Sequence, residues 1–112
     1  MKSVILTNYG APEVLKAKEL KDIEPLNSQV RVKVHYAGIN FAEIMARMKL
    51  YPGGPKPGSI LGGEVSGVID KVGANVKGLS VGDKVMGLTP SGSYSSLACI
   101  EESSIILLPD NF

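Results

Sequence analysis

The chain has 112 residues, of which 44% are hydrophobic, with 13 glycines and 7 prolines, the composition of one packed, turn-rich domain rather than a disordered segment. Lysine and arginine number 12 against 11 acidic residues, with no Trp and two Phe, so neither a polyanion-steering charge nor a base-stacking platform is present and nucleic acid is excluded as a partner. A single cysteine, Cys99, excludes an internal disulfide and a multi-thiolate metal site, and predicts a reducing, cytoplasmic setting.

Val4–Leu6 predicts a first strand, and the apolar character ends at Thr7-Asn8, too early for a secretory signal. No run reaches membrane-spanning length, so no membrane insertion is expected. Tyr9-Gly10-Ala11-Pro12 breaks the chain before Val14-Leu15 and a charged stretch to Glu24, and Pro25-Leu26-Asn27-Ser28 is a turn. Val30, Val32, Val34 and Tyr36 then alternate with Arg31, Lys33 and His35, which predicts a strand with one apolar face. His35 falls on the polar face, turned to solvent.

Asn40 precedes Phe41, Ile44, Met45 and Met48, the spacing of one buried helical stripe, and Asn40 with Glu43 has the form of a capping box. Leu50-Tyr51 closes that helix. Pro52 to Gly58 is a loop stiffened by three prolines. Strands follow at Val65–Val72, Lys84–Leu88, Tyr94–Ile100 and Ser104–Leu108, separated by turns at Gly73-Ala74-Asn75 and Val81-Gly82-Asp83. Short strands with one convincing helix predict a mainly β domain, a small barrel or sandwich.

Three segments carry a family resemblance. They are Ala37-Gly38-Ile39-Asn40-Phe41-Ala42-Glu43 with Arg47 and Leu50-Tyr51-Pro52, then Gly62-Gly63-Glu64-Val65-Ser66-Gly67-Val68-Ile69 running on to Val81-Gly82-Asp83-Lys84-Val85, and Gly92-Ser93-Tyr94-Ser95-Ser96 ending in Leu107-Leu108-Pro109-Asp110. Together they resemble the amino-terminal domain of the quinone oxidoreductase, or zeta-crystallin-like, branch of the medium-chain dehydrogenase/reductase superfamily. The resemblance implies a GroES-like, partly open β-barrel over residues 1–112 with one or two short helices. It further implies a homodimeric parent enzyme that reduces a small quinone or enone with NADPH.

Several absences refine this. Zinc-dependent relatives carry cysteine and histidine where this chain has Asn40 and Gly63, and neither an amide nor a glycine replaces those donors well, so no zinc is expected. No Gly-x-Gly-x-x-Gly segment occurs, so the Rossmann cofactor domain is expected to lie outside this chain. The resemblance places Asn40 beside nicotinamide and substrate, and Tyr51 in the active-site cleft as a hydroxyl that orients or protonates the acceptor. The plain structural alternatives are a helix cap for Asn40 and a loop anchor for Tyr51. Met45 is expected to fill the core, Glu64 to make a structural hydrogen bond, and Cys99 to act as a small buried apolar group. Two other readings of the whole chain are a stand-alone GroES-like assembly module and a zinc alcohol dehydrogenase domain.

Overall fold

A computed structural model describes all residues, Met1–Phe112. Strand β1 (Lys2–Leu6) pairs antiparallel with β2 (Leu15–Glu19), and Leu6 faces Leu15 at the closed end. The charged sequence of β2 gives no strand signal of its own, and pairing with β1 supplies what its local propensity lacks. The remaining strands are β3 (Gln29–Ala37), β4 (Glu64–Val72), β5 (Lys84–Leu88), β6 (Leu97–Glu101) and β7 (Ile105–Leu107). They form one antiparallel sheet in the order β6-β3-β4-β5-β7. The sheet curls into a half-barrel whose edge strands β6 and β7 do not pair, the partly open GroES-like form.

Alternation builds the core. Val30, Val32, Val65, Ile69, Val85, Ala98 and Ile100 point inward from four adjacent strands, and each large aliphatic side chain so buried contributes about 1.5–3 kcal/mol relative to exposure. A second cluster of Leu6, Ala46 and Leu61, flanked by Tyr9 and Tyr94, seats the single helix α1 (Phe41–Arg47) against the β1–β2 hairpin.

Two expectations fail here. The alternation of β3 does not continue to its end, because the register with β4 shifts between Val34 and Tyr36. Val32 is fully buried whereas Tyr36 is 78% exposed, since the extra residue turns the rest of the strand over. The helix is also shorter than its apolar spacing implies, and its stripe is not buried. Phe41, Ile44 and Met48 are exposed, Ala46 alone is buried, and Met45 is only half-buried rather than core.

Candidate functional site

The chain leaves β3 at Ala37 and reaches α1 through Gly38, Ile39 and Asn40. Asn40 is the residue before the helix and has extended backbone angles, φ −119 and ψ 161, but its side chain makes no capping bond. The Glu43 N–H donates instead to the Asn40 backbone carbonyl at 3.1 Å. The capping box therefore does not form, and the Asn40 amide remains free for another partner.

Beyond α1, Lys49 adopts φ 62, a left-handed turn that ends the helix. Tyr51 follows, 48% exposed, and its hydroxyl forms no hydrogen bond within the chain. The loop is anchored by another aromatic, since the Tyr9 hydroxyl donates to the Pro55 carbonyl at 3.1 Å. Sequence reasoning assigned no role to Tyr9, because nothing local connects residues 46 apart in the chain.

The opposite wall comes from the entry to β4. Gly62 has φ 103, and a Cβ there would meet Ser93 Oγ at 1.9 Å and the Tyr94 ring at 2.6 Å. Only glycine fits. Asn40, Glu43, Tyr51, Gly62, Gly63 and Glu64 line one cavity of about 460 Å³, closed on its far side by Leu88-Thr89-Pro90-Ser91. Its size falls within the usual range for a small-molecule site. Thr89 is held there by its N–H, which donates to the Gly63 carbonyl at 2.9 Å.

The cavity thus brings Asn40 and Tyr51 together, and adds Glu43 and the Thr89–Ser91 turn, which sequence reasoning did not place in it. Glu64 makes no side-chain hydrogen bond, contrary to expectation. Its carboxylate packs against Gly38 instead, where a Cβ would lie 1.9 Å from Oε1. Met45 does not reach the cavity. His35 is exposed and lines a second, outer cavity of about 610 Å³ with Tyr36, Lys84, Met86 and Phe112. Cys99 is remote, on β6, where burial pushes its thiol up to about 11.

The alcohol dehydrogenase GroES-like domain matches residues 27–110. The chain belongs to that family. It is 38% identical over 110 residues to the quinone oxidoreductase of Pseudomonas aeruginosa, covering 97% of this chain and 34% of that protein. It is 37% identical over 110 residues to a synaptic vesicle membrane protein VAT-1 homolog of Danio rerio, covering 97% of this chain and 23% of the relative. The crystal structure of Escherichia coli quinone oxidoreductase complexed with NADPH superimposes with a TM-score of 0.94 at 34% identity, over 100% of this chain and 34% of that one. The GroES-like domain is therefore of the quinone oxidoreductase branch of the medium-chain dehydrogenase/reductase superfamily, and it spans only 23–34% of these relatives' length. No helix is long and apolar enough to cross a membrane.

Proposed function

We propose that this domain supplies the substrate side of an NADPH-dependent, zinc-independent quinone or enone reductase, cytoplasmic and homodimeric as a whole. The observation that carries the reading is the cavity itself, in which two uncommitted polar groups, the Asn40 amide and the Tyr51 hydroxyl, face one space beside the side-chain-free wall of Gly62 and Gly63. A planar ring fits such a wall, and the Escherichia coli relative with this fold is complexed with NADPH. The phosphate-holding glycine loop is not in this sequence, so residues 1–112 alone are proposed to be inactive. At the two family positions where zinc relatives carry thiolate and imidazole, Gly63 offers no donor and Asn40 only an amide, a poor set for zinc. The proposed reaction therefore uses no metal.

NADPH, when bound, supplies a hydride. The Asn40 amide N–H would donate a hydrogen bond to the acceptor carbonyl or to the nicotinamide carboxamide oxygen, and so fix its approach. The Tyr51 O–H donates to the acceptor oxygen, whose negative charge grows as hydride reaches the carbon, and passes it a proton. The proton is replaced from solvent through the exposed edge of the phenol.

The test is Tyr51→Phe in the parent enzyme. The ring and its packing survive, so the thermal midpoint should hold, while kcat/KM for quinones falls about 100-fold, the loss typical of one donor to a developing oxyanion. Full activity across several quinones in a normally melting variant would reduce Tyr51 to a packing residue.

A further inference from the structure

The cavity has an unbalanced charge. Its lining holds two carboxylates, Glu43 and Glu64, and no lysine, arginine or histidine. Arg47, one helical turn from Glu43 and well placed to pair with it, donates instead to the Gly10 carbonyl. Glu43 Oε1 is buried with no hydrogen-bond partner. Ser93, fully buried, also leaves its Oγ without a partner, behind Gly62, whose backbone lines the cavity. The Glu43 charge is felt nearby, since the Tyr94 phenol is raised, first by burial and then by Glu43.

A carboxylate oxygen withdrawn from water with neither a hydrogen-bond partner nor a counter-charge is costly, and a cationic ligand offsets that cost. The reduced nicotinamide ring is neutral. The same ring after loss of hydride is a planar cation. We propose that Glu43 is the counter-charge for a planar aromatic cation held in this cavity, which, on the reading given under Proposed function, is the oxidised nicotinamide ring. Glu43 then favours the oxidised over the reduced ring, and so draws hydride toward the acceptor, without bonding to either.

The experiment uses the 112-residue chain, labelled with 15N and titrated with 1-methylnicotinamide, a cation, and with nicotinamide, its neutral counterpart. Tetramethylammonium serves as a non-aromatic cation. The cation should perturb amide resonances around Asn40–Ala46 and Leu61–Glu64, bind on the order of tenfold more weakly to Glu43→Gln, and weaken with added salt. Nicotinamide should bind both proteins alike and ignore salt. The salt dependence on the unaltered chain stands in for the variant if Glu43→Gln does not fold. Equal cation affinity in both proteins, loss of discrimination in Glu64→Gln instead, or the same pattern with tetramethylammonium overturns the assignment. If nicotinamide perturbs the cleft but the cation binds no tighter, the counter-charge fails and the cofactor reading stands. If neither ring compound perturbs the cleft, both fail.

Discussion

Cys99 sits on β6 opposite Arg31, and burial raises its thiol from 9.0 to about 11 although the Arg31 charge acts in the other direction. The folded chain therefore holds this proton more tightly than the unfolded chain. Its contribution to stability is complete below about 9 and is lost as the pH rises toward about 11. Urea midpoints at about pH 8 and pH 10.5 should converge more closely in Cys99→Ala than in the unaltered chain, and an identical alkaline loss in both would show that the thiol is not responsible. That Cys99 lies on a strand was legible, though it is half-buried rather than buried, since the alternation of β6 turns Ala98 and Ile100 into the core instead. The fate of Asn40 was not, because capping depends on one side-chain rotamer, and here the backbone carbonyl accepts the Glu43 N–H while the amide stays free. Residue type indicates capacity, and geometry decides its use.

Among elements, the turn that enters β4 is the most constrained. Gly62 and Gly58 both have left-handed backbones, φ 103 and 98, but an added Cβ meets Ser93 Oγ at 1.9 Å at the first and nothing within 4 Å at the second. Gly58→Ala should thus lose about 1 kcal/mol from backbone strain alone, and Gly62→Ala about 2–4 kcal/mol because overpacking is added. Denaturant unfolding of the two variants measures the difference, and equal losses would mean that the Ser93–Tyr94 segment simply moves aside. Strand positions were largely readable from alternation and glycine-marked turns, and β3, β4 and β5 lie where Val30–Tyr36, Val65–Val72 and Lys84–Leu88 place them. Alternation could not reveal the register shift after Val34, which depends on the partner strand. Nor could helical spacing show that Phe41, at 71% exposure, has no core to enter, since periodicity describes a face and not what covers it.

On the scale of the whole molecule, the inner face of the half-barrel is filled and the outer face is not. The outer cavity of about 610 Å³ gathers Tyr36, Met86, Leu88, Leu108 and Phe112, of which Tyr36 and Phe112 are among the most exposed large apolar side chains of the chain. A contiguous apolar surface of this kind binds amphiphilic dyes without any loosening of the core. The isolated chain should therefore brighten anilinonaphthalene sulfonate while retaining sharp, dispersed NMR resonances and a cooperative denaturant transition. A dark dye with the same resonances would show that this face is covered, as it would be by self-association. Dye fluorescence is commonly taken as the mark of a molten state; in this domain it reports a property of the native fold, and a screen for misfolded variants that relied on it would reject the correctly folded protein.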